Sequence, residues 1–300
     1  MNETTHRIII GDSRKMQEVS NGSVQLIITS PPYPMIEMWD EQLQKSNPEI
    51  RRLWQRMTEE KDEIKKERLI DEIYERMHDS LAEVWKESYR VLSDGGIACI
   101  NIGDATRKLN GIFRVFPNHV KIIENCEKIG FVTLPYILWK KPTNRPNAFL
   151  GSGFLPPNGY VTLDVEYILI FRKGSLRKFE PKDEIRYRSQ FTKEERDTWF
   201  SQIWSVKGAA QNHSEMKRRT AAYPEEIPYR LIRMFSVLGD TVLDPFLGTG
   251  TTTKAALENG RNSVGYEVEP ELERIIKERV GYGQQSLDTD KKVKIEFIRR

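Results

Sequence analysis

Val24-Gln25-Leu26-Ile27-Ile28-Thr29-Ser30-Pro31-Pro32-Tyr33 is the stretch on which the fold turns. Its first half is short, apolar and β-branched, the composition of a buried strand. Its second half ends that strand, because neither proline has an N–H to give to a ladder and each fixes its own φ. The turn presents carbonyls, a hydroxyl and an aromatic face. Ligands of α/β sheets sit at the carboxyl ends of strands, so Thr29 to Tyr33 is predicted to be the rim of an active site.

Working outward, Arg7-Ile8-Ile9-Ile10 reads as a strand ended by Gly11-Asp12, where Asp12 either faces a ligand or caps the next helix. From Met38 to Leu92 the chain is charge-dense and helical. Ile70, Ile73, Tyr74, Met77, Leu81, Val84 and Trp85 fall on one helical face and are read as core. Ser93-Asp94-Gly95-Gly96 is predicted to stop the helix before a strand over 97–102. A helix over 118–128, a strand over 131–139, a long loop over 142–162 and a strand over 166–171 follow. Pattern returns at Tyr223-Pro224-Glu225-Glu226, which opens a helix through Phe235. Beyond it come a strand at 241–243, the turn Asp244-Pro245-Phe246-Leu247-Gly248-Thr249-Gly250-Thr251-Thr252, a helix, a strand at 263–266 closing in Glu267, a last helix to Val280, and an edge strand at 293–298.

Composition bounds the function. Three hundred residues, 38% of them hydrophobic, bury one substantial core and can carry a small inserted module. No apolar run reaches the roughly 18 to 20 residues that span a bilayer, and the polar start has no signal-peptide core, so a cytoplasmic protein without membrane attachment is expected. Cys99 and Cys126 form neither a disulfide framework nor a metal-ligand cluster, so no metal is expected. The net charge is only +3, yet 172–219 holds 13 Lys or Arg against 7 Asp or Glu. A basic block of this kind suits a polyanion partner. Phe191, Trp199, Phe200 and Trp204 lie within it, and the tryptophans are read as core of a small module.

The turn at 244–250 lets the backbone approach a ligand closely. It is not a Walker loop, since Thr253 precedes Lys254 where that motif needs Gly. It is not a dinucleotide fingerprint either, since Thr253 stands where the third Gly falls. Glu267, ending the next strand, is placed to accept hydrogen bonds from ribose hydroxyls. A nucleoside cofactor follows.

Asp-Pro-Phe-x-Gly-x-Gly-Thr-Thr at 244–252 and Thr-Ser-Pro-Pro-Tyr at 29–33 resemble the cofactor and catalytic motifs of S-adenosylmethionine-dependent DNA amino-methyltransferases. The catalytic motif comes first and the cofactor motif last, with a basic region between, an order similar to the β-class. The resemblance implies an α/β fold: a doubly wound, mostly parallel seven-stranded, Rossmann-like sheet, circularly permuted. Residues 1–174 are then its catalytic half, with a helical insertion at about 38–92; 175–218 is a target-recognition region; 219–300 is the cofactor-binding half. By the same resemblance Ser30, Pro31, Pro32 and Tyr33 are catalytic. Asp12, Thr29, Asp244, Pro245, Phe246, Gly248, Gly250, Thr251 and Glu267 bind S-adenosyl-L-methionine. Arg186, Arg188, Lys217 and Arg218 are candidates to touch double-stranded DNA. Arg219-Thr220 stand where the family often has His-Pro, a departure beside the cofactor carboxylate.

Exocyclic amino groups are poor nucleophiles, and acceptors such as the Ser30 hydroxyl and the Pro31 carbonyl stabilise the charge that develops on attack. Tyr33 offers a face to a base that has left the stack. Carbon-5 methylation needs a Pro-Cys nucleophile, and neither cysteine matches. Ser at the head of the tetrapeptide points, by resemblance, to N4 of cytosine. Adenine N6, RNA or protein as acceptor, and a non-catalytic DNA-binding protein on the same scaffold are the alternatives. A cognate restriction endonuclease is a family-level implication, and the sequence does not set the oligomeric state.

Overall fold

A computed structural model describes residues 3–141, 150–151, 157, 159–208, 223–283 and 292–300. The chain opens with β1 (Thr4–Ile10) and β2 (Val24–Thr29). After the prolyl turn, a 3₁₀ turn (Glu37–Trp39) leads into α1 (Asp40–Ser46), α2 (Pro48–Glu59) and α3 (Glu63–Val91). Then come β3 (Leu92–Ile102), the hairpin of β4 (Ala105–Leu109) and β5 (Ile112–Phe116), α4 (Asn118–Ile129) and β6 (Phe131–Lys140). A two-residue ladder of β7 (Leu150–Gly151) and β8 (Gly159–Tyr160) precedes β9 (Val165–Lys173). The basic block contributes α5 (Glu184–Arg188), α6 (Lys193–Trp199) and β10 (Ile203–Ser205). The last part holds α7 (Glu226–Phe235), β11 (Thr241–Asp244), α8 (Thr251–Glu258), β12 (Asn262–Glu267), α9 (Glu273–Val280) and β13 (Val293–Arg299).

One nine-stranded sheet runs in the order β10-β6-β9-β3-β2-β11-β12-β1-β13. Within it only β9 is reversed, antiparallel to both β3 and β6. The seven expected strands are its centre, and β10 and β13 extend it at either edge. β13 pairs with β1 from Thr4↔Val293 to Ile10↔Arg299, and Ile295 and Phe297 pack against the Ile276 cluster. Alternate strand residues face opposite layers, as a doubly wound sheet requires. Ile27, Ala98, Ile100 and Leu243 face α3 and α4, where Trp85 and Ile122 lie. Leu26, Ile28, Cys99 and Val242 face α7 and α8, where Leu231 and Ala256 lie.

The predicted stripe on α3 is buried throughout. Asp62 caps this helix by accepting from Ile64 N and Lys65 N, satisfying two of its orphan donors. α3 ends at Val91, just ahead of Ser93 to Gly96, but the strand predicted from 97 starts earlier, at Leu92. Ser93 to Gly96 thus belong to β3, and Gly95 takes the turn's strain in a left-handed conformation (φ 75°), where an added Cβ would stand 2.5 Å from Arg177 N. The β4–β5 hairpin, unforeseen in the sequence, turns at Asn110-Gly111 with φ 53° and 75°, the geometry of a two-residue primed turn.

Trp85 is buried at the base of α3 and meets Phe246 edge to face at 6.0 Å, so the helical insertion packs directly on the glycine turn. Trp85→Ala is expected to cost about 3–5 kcal/mol in chemical denaturation. Trp85→Phe should cost far less, because Trp85 Nε1 has no hydrogen bond to lose among the described residues.

Candidate active site

β2 and β11 are parallel neighbours (Val242↔Leu26, Leu243↔Ile27), yet β2 connects onward to β3 and β11 to β12, on opposite sides. Such a switch point opens a crevice at the carboxyl ends of the strands. The prolyl turn leaves β2 there and the glycine turn leaves β11. Asp244 holds them together. Its buried carboxylate accepts from Thr29 Oγ1 (2.7 Å), Thr252 Oγ1 (2.5 Å), Tyr223 OH (3.3 Å) and Phe246 N (3.0 Å). Burial raises its pKa, and these donors oppose the rise.

The glycine turn is moored to β12 by Leu247 N donating to Tyr266 O (2.8 Å). Gly248 (φ 56°) donates its N–H to Glu267 Oε2 at 2.7 Å, and Glu269 N donates to Glu267 Oε1 at 2.8 Å. Burial pushes the Glu267 carboxyl up to about 7. Gly250 (φ 87°) has another reason for its missing side chain: a Cβ would stand 3.3 Å from Ile276 Cγ2, so it admits α9.

The prolyl turn is fixed by groups from five other segments. Tyr33 OH donates to Glu166 Oε2 (2.9 Å) and accepts from Asn101 Nδ2 (2.7 Å), which also donates to Glu166 Oε2 (2.7 Å). Lys141 Nζ completes the cluster with an ion pair to Glu166. Ser30 Oγ lies 3.1 Å from Tyr33 OH. With the tyrosine proton committed to the carboxylate, the serine is the donor of that pair; Asn101 Nδ2 lies 3.5 Å from its oxygen, and a lone pair stays available to a ligand. Burial, followed by the charge of Glu166, raises the Tyr33 pKa well above its ordinary value. Below the turn, Asn118 Nδ2 donates to Pro34 O and Gly103 O, both at 3.0 Å, and His78 Nε2 pairs with Asn118 Oδ1. Burial lowers the His78 pKa to about 4, so this imidazole is neutral. Met35, in the same turn, is left-handed at φ 62°, a strain of roughly 1–3 kcal/mol that the packing sustains.

A cavity of about 420 Å³ joins the two turns, within the roughly 300–1,000 Å³ of small-molecule sites. Asp12, Ser30, Pro32, Tyr33, Asp244, Pro245, Phe246, Gly248, Thr251 and Glu267 all line it. Thr29 is fully buried behind the wall, and Pro31 is buried as well. The Asp12 carboxylate is engaged by Arg14, with Nε at 2.8 Å. The far wall is the helical insertion: Trp39, Gln42, Leu43, Leu81 and Val84. Asn101, Asn118, Lys141 and Glu166 were not singled out from the sequence. A signal existed for Asn101, a polar residue inside an otherwise apolar strand.

The basic block begins at the opposite end of the sheet. β9 runs opposite to β3, so it leaves the sheet at the end away from Ser30, where Lys173 Nζ reaches Leu92 O (2.7 Å). The following residues dock there, with Arg177 bidentate on Asp240 (2.6 and 2.9 Å) and Ser189 Oγ accepting from Leu238 N (2.9 Å). Arg186 and Arg188, on α5 between these anchors, therefore lie at the amino end of the strands, remote from the cavity. The chain then returns along the sheet edge: β10 pairs parallel to β6, and Trp199 and Trp204 are buried, as core tryptophans. Lys217, Arg218 and the Arg219-Thr220 departure lie outside the described residues, as does most of the 142–162 loop.

Comparison with known proteins accords with this geometry. The profile of the DNA methylase family matches residues 24–278. The chain is 67% identical over 297 residues to the type II methyltransferase M.MjaI of Methanocaldococcus jannaschii, covering 99% of this chain and 97% of that one. It is 46% identical to M.MthZI of Methanothermobacter thermautotrophicus over 93% of this chain and 77% of the relative. Among solved structures, a putative DNA modification methylase of Thermus thermophilus, in complex with S-adenosyl-L-methionine, superposes with a TM-score of 0.71 at 32% identity, over 98% of this chain and 99% of that one. The PvuII cytosine-N4-specific DNA methyltransferase shares the fold, with a TM-score of 0.61 at 17% identity. With its prolyl turn preceding its glycine turn in sequence and both opening on one cavity, the chain belongs to the DNA methylase family, as a β-class DNA amino-methyltransferase.

Proposed function

We propose that this protein transfers a methyl group from S-adenosyl-L-methionine to the N4 amino group of a cytosine flipped out of double-stranded DNA, as the modification arm of a type II restriction system with a cognate endonuclease. One observation carries the reading. Ser30, at the head of the prolyl turn, lines the same cavity as Gly248 and Glu267, and its hydroxyl, which donates to Tyr33 and accepts a long bond from Asn101, keeps a lone pair for a ligand.

The cavity suits the cofactor. Glu267 can accept from ribose hydroxyls, and Thr249 Oγ1, in the wall beside the glycine turn, is buried without a partner among the described residues. Apart from its own chain neighbours, the described atom within 4.0 Å of where a Gly248 Cβ would stand is Phe246 O, so the backbone there is open to close approach. When bound, S-adenosyl-L-methionine supplies a methyl group on a sulfonium, ready for in-line attack. Ser30 accepts from one amino N–H of the base, which favours a localised lone pair on nitrogen and stabilises its developing positive charge. Tyr33 is braced from behind, since a Cβ on Gly103 would stand 3.1 Å from its Cε2, and it presents its remaining face to the flipped base. The insertion wall at Trp39 and Leu43 excludes water and holds the partners in register.

Incubation with unmodified duplex DNA and methyl-labelled cofactor, followed by digestion to nucleosides, is expected to place the label in N4-methylcytosine. Label in N6-methyladenine overturns the cytosine assignment. Ribose hydroxyls favour the ionised form of Glu267, whose carboxyl burial pushes up to about 7. Cofactor affinity should therefore fall about tenfold between pH ~8 and pH ~6. Glu267→Gln should bind weakly with no such dependence, as read by titration calorimetry. Because α5 lies at the far end of the sheet, the double variant Arg186→Ala, Arg188→Ala is expected to keep the duplex-DNA affinity and its salt slope.

A further inference from the structure

The amino nitrogen that gains a methyl must lose a proton, and a serine hydroxyl cannot store one. Two hydrogen bonds behind Ser30 run in series in one direction. Ser30 Oγ donates to Tyr33 OH (3.1 Å), and Tyr33 OH donates to Glu166 Oε2 (2.9 Å). The path ends at a carboxylate whose side chain is 13% exposed and whose ion-pair partner, Lys141, is 41% exposed. Asn101, 4% exposed, holds both the phenol and the carboxylate from one amide nitrogen.

We propose that Glu166 is the terminal proton acceptor of methyl transfer, reached through Ser30 and Tyr33. As the N–CH₃ bond forms and the S–CH₃ bond breaks, the amino N–H proton passes to Ser30 Oγ, the Ser30 proton to Tyr33, and the Tyr33 proton to Glu166. Serine and tyrosine end neutral, the methylated amine is neutral, the cofactor leaves as S-adenosylhomocysteine, and one proton resides on Glu166. From there it leaves along the half-exposed Lys141 side. No tyrosinate forms, which matters in a pocket where burial opposes one. Glu166 acts through Tyr33 and is a positioning residue. The charged and titratable groups around it are Lys141 on the β6 side, Tyr33 from the prolyl turn, Asp164 paired with Lys140 (3.7 Å) one step back on its own chain, and the Asp104–His119 pair beyond Tyr167. The proposal rests on the amino-methylation reading above.

The test is single-turnover methyl transfer by rapid quench across pH, on unmodified duplex carrying the target site mapped from cells expressing the protein. Glu166→Gln is expected to lower the rate about 100-fold and to remove the acidic limb of the rate profile. Its cofactor binding by calorimetry and DNA binding by anisotropy should stay within about twofold of wild type. Glu166→Asp should recover part of the rate together with the limb. Lys141→Gln keeps the carboxylate and removes the cation beside it, so the limb should move to higher pH, a shift that a merely structural ion pair does not produce. Tyr33→Phe should lose as much as Glu166→Gln, and the double variant no more than either. A Glu166→Gln rate within about threefold of wild type, or an acidic limb unmoved in Lys141→Gln, overturns the relay. Should Glu166→Gln fail to fold, the Lys141→Gln limb decides alone. Wild-type protein that labels no DNA amino group overturns the function itself, whereas a labelling wild type with an equally fast Glu166→Gln overturns only the relay.

Discussion

Everything at the active end of the sheet depends on one buried carboxylate. Asp244 and Thr29 are 215 residues apart in sequence and 2.7 Å apart in space. A carboxylate taken out of water is costly unless donors replace its hydration. Here the donors come from the end of β2, the start of α8, the segment before α7 and the glycine turn's own backbone. No one segment can satisfy the charge, so all four must assemble. The requirement that keeps Asp244 tolerable also places the prolyl turn beside the glycine turn.

Strand direction distributes the remaining chemistry. Eight strands of the large sheet point their carboxyl ends at the cavity; the reversed β9 brings in its amino end. Glu166, near the start of β9, thereby arrives next to Tyr33, while Lys173 at its other end ties down the junction of α3 and β3. The basic block begins at that remote end and climbs back along the sheet edge through α6 and β10. Among the described residues the charge surplus of this block falls within 172–188, at that remote end, while 189–208 carries as many acidic as basic side chains.

The catalytic turn is rigid because its supports are packed and mostly neutral. Asn118 spans Pro34 and Gly103, a neutral His78 holds Asn118, and Asn101 bridges phenol and carboxylate. Polar groups fixed before a ligand arrives need no reorganisation when charge develops. The helical insertion serves both ends of this arrangement, since α3 fills the core beneath the glycine turn through Trp85 and its neighbours α1 and the 3₁₀ turn wall the cavity.

The sequence by itself determined the local pieces: the strand that stops at Pro31-Pro32, the buried stripe of α3, the glycine turn after Asp244 and the carboxylate that closes β12. Each is written in periodicity or turn chemistry within about a dozen residues. The order of the two motifs carried the sheet's permuted connectivity as well. The Asn110-Gly111 pair also carries the turn chemistry of the β4–β5 hairpin. Tertiary structure alone decided that β9 is reversed, that Arg186 and Arg188 lie at the far end of the sheet while Glu166 reaches Tyr33, that Gly250 makes room for Ile276, and that β10 extends the sheet beyond β6. The reason is physical: alternation and propensity record which side of a strand is buried, but they are blind to which way the strand runs and to what lies across from it. Both are settled only when distant segments compete to satisfy the same buried groups.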